Sequence, residues 1–285
     1  MKVPMYAMAS SAVLNIILDP LFIFTFGWGV KGAAIATVLA RAIALVIIIA
    51  YFISDKTWIK LKLHWFSFKR DYVKGIFAVG VPSSLSNLSM SVGMFLLTVI
   101  VAGFGTEALA AYGIGFRLDS LAILPALGVS VAVVSLIGQN VGAGRYKRAK
   151  EMTFKAGFMA TAIMSCIGFV FFMFPEVIVS LFSGDPLVVS YGVSFLRIVP
   201  LSYVVVGVTM AISGAFLGSG HAVPSLAINV LRVIVINVPL AYLLSLRLGV
   251  AGVWWGILAS SLAASAIAVV WFRKGTWKKH VARGR

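Results

Sequence analysis

The stretch MYAMASSAVLNIILDPLFIFTF, residues 5–26, is apolar over a length that crosses a bilayer, yet it carries Asn15 and Asp19 within it. A carboxyl at that depth costs about 2.5–3.5 kcal/mol on insertion scales, so its default reading is an ion or proton site. Asn15 and Asp19 are spaced i, i+4 and share one helix face. Gly27-Trp28-Gly29 makes a turn, and Thr37 lies on the apolar helix that returns. At about 1.5 Å per residue, Asp19 falls about 12–15 Å before the turn and Thr37 about 12 Å after it. The three side chains therefore reach similar depth. The competing reading is structural: Pro20 frees the carbonyl of Ile16, and polar neighbours satisfy it.

Composition agrees with a membrane chain. Of 285 residues, 61% are hydrophobic and 11% charged, with a mean hydropathy of +1.05. A soluble domain would carry about 25% charge. The apolar spans recur at helical length, whereas a β-barrel would show short alternating segments. Lys2 precedes the first run, but Asn15 and Asp19-Pro20 interrupt it and a second span follows, so it does not read as a cleavable signal peptide. Cys166 is the single cysteine and forms no intramolecular disulfide.

Most of the basic residues behind the net charge of +16 cluster in three segments: Lys56–Lys74, Arg145–Lys155 and Arg273–Arg285. Each sits at the end of an apolar span, as the positive-inside rule expects, and anionic headgroups account for the charge without a nucleic-acid partner. Spans are predicted near 5–26, 30–53, 74–103, 117–140, 153–174, 188–217, 223–246 and 250–272. Alternating sides along this order puts all three basic segments together and Glu107, Glu176 and Asp185 opposite. The expectation is a multi-pass cell-membrane protein with both termini cytoplasmic. The alternating Trp58–Phe68 stretch reads as an interfacial connector. Gly138–Arg145 lacks the ending of a P-loop and reads as a tight turn.

An internal repeat organises the chain. Pro20-Leu21 is echoed by Pro239-Leu240, and Gly29-Val30-Lys31-Gly32 by Gly249-Val250-Ala251-Gly252. The two hairpins lie six spans apart, so the repeats are parallel. The fold class expected is an all-α integral membrane protein, a bundle of about eight transmembrane helices whose six-helix repeat is incomplete in its first copy. Its parts are 1–53, the last two helices of an amino-terminal lobe; 54–73, a cytoplasmic connector; 74–272, a complete carboxy-terminal lobe; and 273–285, a basic tail. The second hairpin keeps the proline but replaces the polar trio with Ile234, Val238 and Ile257. The hairpin thus forms without polar groups there, which favours a functional reading of Asn15, Asp19 and Thr37. Such a trio binds Na⁺ through oxygens or carries a proton.

Other intramembrane charges rank lower. Arg117 and Asp119 are placed near the outer end of their helix, and their spacing of two keeps them from facing each other, so snorkelling or interhelical pairing is expected. Arg41, Arg197 and Arg232 line a cavity or reach headgroups. Asn87, Met90, Met94 and Met210 are a candidate substrate cleft, methionine being adaptable, although scattered methionines are as readily packing residues. Pro82, Pro125, Pro200 and Pro239 mark bends. His64, His221 and His280 fall outside the spans and no paired carboxylates appear at depth, so an enzyme is not expected, nor a cofactor beyond a coupling ion.

Leu14–Phe24, Gly29–Thr37, Gly80-Val81-Pro82-Ser83-Ser84, Gly138–Arg145 with Ala149, and Gly214–Gly220 together resemble the multidrug and toxic compound extrusion (MATE) family, with Leu217 in place of a usual arginine. The resemblance covers essentially the whole chain. It implies a twelve-helix antiporter of two six-helix lobes, exporting drugs and other small organic substrates against H⁺ or Na⁺, with this chain matching helices five to twelve. One branch uses an Asn and an Asp on the fifth helix and a Thr on the sixth, which match Asn15, Asp19 and Thr37, and a first-helix aspartate this chain lacks. A second branch places acids where this chain reads Leu88-Ser89-Met90-Ser91 and Val205-Val206-Gly207-Val208. The expectation is a truncated form, which alone does not transport. The rivals are a lipid-linked saccharide flippase, for which Arg41, Arg197 and Arg232 would converge, and a non-transporting assembly subunit.

Overall fold

The computed structural model describes residues 2–54 and 70–278. The Trp58–Phe68 connector and the end of the basic tail lie outside the described residues. Two compact units form, Met1–Phe68 and Lys69–Arg285. Among the described residues, eight helices or helix pairs are long and apolar enough to cross a membrane.

The first unit is a hairpin. Helix α1 (Lys2–Pro20) runs on into a π-helical turn, Leu21–Thr25, and α2 (Gly29–Ile53) returns along it. Gly29 takes φ +54°, which a side chain would strain, and lets the chain reverse. Phe22, Phe26 and Trp28 close the turn with ring centroids 5.4–5.6 Å apart. Gly32 lies against the Phe22 carbonyl, where a Cβ would stand 2.6 Å from its oxygen.

The second unit holds six spans. They are α3 (Arg70–Ala102), α4 (Thr106–Gly142), α5 (Tyr146–Met173), α7 with α8 (Pro186–Ile198, Tyr203–Gly218), α9 with α10 (Ala222–Val230, Val238–Leu248) and α11 (Val250–Arg273). A short α6 (Pro175–Ser180) joins α5 to α7. Asp185 caps α7, accepting from the amides of Leu187 at 2.8 Å and Val188 at 3.3 Å, with Pro186 in the first helical position. Helices α4, α5 and α8 pack together, as do α3 with α9 and α10 with α11. Their contact rests on small residues: Gly207 of α8 lies on the Thr161 backbone of α5, and Gly214 on Ser130 of α4. Ser130 also donates across to the Met210 carbonyl at 2.9 Å. Buried Trp254 stacks on Tyr112 and meets Phe195 edge-on.

The repeat has a local physical basis. The second hairpin contains a π-helical turn, Leu231–Asn237, just before Pro239, and its turn residue Gly249 takes φ +60°. Gly252 presses on the backbone of Leu244 and Ser245, as Gly32 does on Phe22.

Two expected helix starts are corrected, and the bend expected at Pro200 takes a definite form. Helix α4 begins at Thr106 rather than 117, so Asp119 lies thirteen residues in, about 20 Å along the helix, and not near its end. The Gly, Ala and Glu107 of that segment read as a loop but serve as an ordinary first turn. Helix α5 begins at Tyr146, so its basic residues form its first turns. The span expected at 188–217 breaks at a 3₁₀ turn, Val199–Ser202, around Pro200. Pro82 and Pro125, by contrast, sit within continuous helices. The Gly138–Arg145 segment is a helix end and turn, with Gly144 at φ +72° and the Arg145 amide donating to the Asn140 carbonyl at 2.8 Å.

A Gly252→Ala change should lower thermal stability in detergent, by about 1–3 kcal/mol for an overpacked contact that no side-chain movement relieves. Gly113→Ala, where nothing stands within 4 Å, should be neutral or slightly stabilising in the same melting assay.

Candidate functional site

The hairpin brings Asn15, Asp19 and Thr37 together. The Asn15 amide nitrogen donates to Asp19 Oδ1 at 3.1 Å and to Thr37 Oγ1 at 3.4 Å. Thr37 donates in turn to the Ala33 carbonyl at 2.9 Å, one turn back on α2. All three side chains are half-buried within the unit. Asn15 therefore joins the two helices, and its amide protons are both spent on the other two members. Asp19 keeps a second carboxylate oxygen free of any protein donor among the described residues. Rotating the amide about its Cβ–Cγ bond would exchange two donors for an acceptor, leaving oxygens of all three side chains to face a cation. A proton on Asp19 would serve the same neutralising purpose without that rotation. The Ile16 carbonyl freed by Pro20 is not the partner of any of the three, so the structural alternative has no bond to support it.

The second unit has its own polar feature, a cavity of about 300 Å³ between α3, α4, α8 and α9. Asn87, Met90 and Met210 line it. Met94 does not: it is exposed on α3, one helical turn beyond Met90 and outside this wall. Across the cavity mouth Asn229 donates to Ser86 Oγ at 2.7 Å, tying α9 to α3.

Arg232, at the start of the second π-helical turn, also lines the cavity. Asp119, on α4, lies near enough to interact with it and with the hydroxyls of Tyr203 and Tyr112. The acid and the guanidinium are farther apart than the 4.0 Å of an ion pair. The buried Tyr203 hydroxyl faces Asp119 without closing a well-aligned hydrogen bond. Arg117 is exposed on α4, so of the two only Asp119 has interhelical charged and hydroxyl neighbours. Sequence reasoning named both Asp119 and Arg232 but could not join them, because α4 and the turn after α9 come near each other only in the folded bundle. Arg197 is elsewhere engaged, 3.7 Å from Glu176 at an exposed end of α7, and it is not in the cavity wall.

Among the described residues, eight spans of membrane-crossing length, with an acid on the first hairpin and a cavity lined by polar and apolar residues in the larger unit, define a multi-pass membrane protein. Residues 82–243 match the family described as MatE, and the chain belongs to that MATE family. It is similar to the "Probable multidrug resistance protein NorM" of Thermotoga maritima, 28% identical over all of this chain and 62% of that protein. It is likewise similar to the "Probable multidrug resistance protein YpnP" of Bacillus subtilis, 31% identical over 97% of this chain and 62% of the relative. A MATE transporter crystallised in the straight conformation superposes with a TM-score of 0.90 at 33% identity, over 95% of this chain and 61% of that one. The chain thus spans about three fifths of the length of these relatives.

Asn15→Leu removes both bonds of the trio and should destabilise the purified chain by about 1–3 kcal/mol, the range for stranding a polar partner. Thr37→Val removes one acceptor and keeps the shape, so its melting temperature should fall less. Equal losses would show that the amide does not bridge the helices.

Proposed function

We propose that this chain serves cation-coupled secondary antiport, exporting drugs or other small organic compounds in exchange for H⁺ or Na⁺. The observation that carries the reading is the Asn15 amide bridging Asp19 and Thr37 across the first hairpin. Asp19 is the exchanged carrier, and Asn15 and Thr37 are its supporting ligands. An ionised carboxylate in a water-poor cleft is costly; a bound proton or cation removes that cost, so the same hairpin has two electrostatic states with different packing demands. Coupling follows when each state favours a different arrangement of the surrounding helices. The names of the relatives support drug export as the transported class.

The orientation with both ends cytoplasmic draws support from α4, whose acidic Glu107 and whose following basic turn (Arg145, Lys147, Arg148) stand at opposite ends. That arrangement would place the α4–α5 turn on the cytoplasmic side of the cell membrane.

The test is cation-dependent stability of the purified chain. At a cation concentration tenfold above Kd, binding should stabilise by about 1.4 kcal/mol. Melting in NaCl against KCl, and across pH, should reveal dependence on Na⁺ or on H⁺, and Asp19→Asn should erase it. A wild-type response that Asp19→Asn reproduces in full would sink the assignment.

A further inference from the structure

We infer that the cavity of the second unit binds the anionic end of an amphipathic small molecule, with Arg232 as the residue that holds it. This goes beyond the antiport reading by naming a ligand class, and it rests on that reading only for the expectation of an organic solute.

Arg232 is the second residue of the π-helical turn inside the span Ala222–Leu248, and such wide turns recur at functional positions. Among the described residues its guanidinium donates no hydrogen bond and has no carboxylate within 4.0 Å. Five N–H donors at membrane depth with no protein acceptor are expensive, and the side chain opens on the cavity. Arg232 is also the one charged residue in the described wall, so the cavity presents a positive potential with no acid facing inward. Asp119 tempers that charge from α4 but does not line the cavity.

Further donors stand beside it. Ser86 accepts from Asn229, and its own proton is committed to no acceptor among the described residues. The Asn87 amide is similarly free. On the far wall the hydroxyls of Ser130 and Thr209 are spent on backbone carbonyls at 2.9 and 3.0 Å. The α3–α9 side thus offers donors with Met90 beside them, and Met210 on α8 offers apolar contact. A cationic ligand would meet Arg232 in a low-dielectric site, with only Asp119, outside the wall, to offset the repulsion. A carboxylate, sulfonate or phosphate would satisfy it with charge-assisted bonds. A free solute and a lipid headgroup present the same acceptor oxygens.

The experiment uses the purified chain in phosphatidylcholine nanodiscs and two fluorescent probes alike except in charge, dansylglycine and dansylglycinamide. The acid should bind roughly tenfold tighter than the amide, as one charge-assisted contact supports. Arg232→Gln should abolish that preference and Arg232→Lys should keep part of it. Equal affinities in the wild type, or an unchanged preference in Arg232→Gln, would overturn the inference. If Arg232→Gln does not elute as a monodisperse species, Asn87→Cys in a Cys166→Ala background replaces it. There the anionic sulfonatoethyl methanethiosulfonate should react faster than the cationic trimethylammonium reagent, each normalised to free thiol; equal or reversed rates would count against the site. Adding phosphatidylglycerol to the discs assigns the source: displacement of dansylglycine identifies a lipid headgroup, and undisturbed binding identifies a solute. The probes report on α3, α8 and α9, so a failed Asp19 test leaves this measurement standing.

Discussion

Hydrocarbon gives a polar group nothing to bond to, so every such group in this chain must find its partner inside the protein. Most do so locally. Ser83, Thr98, Ser120, Thr153 and Thr209 each return their hydroxyl proton to a carbonyl one turn back. These residues add polarity to the sequence without adding chemistry. The exceptions stand out against them. Asn15 bonds across to another helix, Asn229 does the same to Ser86, and Arg232 bonds to nothing in the described protein.

The same constraint explains the packing. Helices in lipid gain little from burying apolar side chains against each other, so close backbone approach has to supply the attraction. Gly207 on Thr161 and Gly214 on Ser130 let α8 sit tightly between α4 and α5. Tight packing on that side leaves α3 and α9 to be joined by a polar bond, and the cavity lies beside that joint. Scaffold and site share a wall: Ser130 and Gly214 hold α4 and α8 together and also line the space beside α3 and α9.

Much of this was readable in the residues because its signals are local. Long apolar runs mark the spans, and Asn15 with Asp19 share a face through simple helical spacing. The echo of Pro20 and Gly29–Gly32 at Pro239 and Gly249–Gly252 survives because both turns need the same positive φ and the same bare Cα against a backbone. What was not readable depends on contacts between distant segments. The Thr106–Phe116 segment hides a helix start because its glycines and Glu107 suit a loop equally well, and that error misplaced Asp119 by about three turns. The neighbourhood of Asp119, Tyr203 and Arg232 joins α4, α8 and the turn after α9, and no spacing rule connects them. Met94 was grouped with Met90 by residue type, whereas one helical turn carries it past the cavity wall.

The twin hairpins have a consequence for the role of charge in this fold. Both copies fold around a proline, a wide turn and a glycine reversal, yet only one holds an acid, and the other places a cation, Arg232, in its wide turn. Charge is thus not what makes the hairpin fold: the proline, the wide turn and the glycine reversal accept an acid in one copy and a guanidinium in the other.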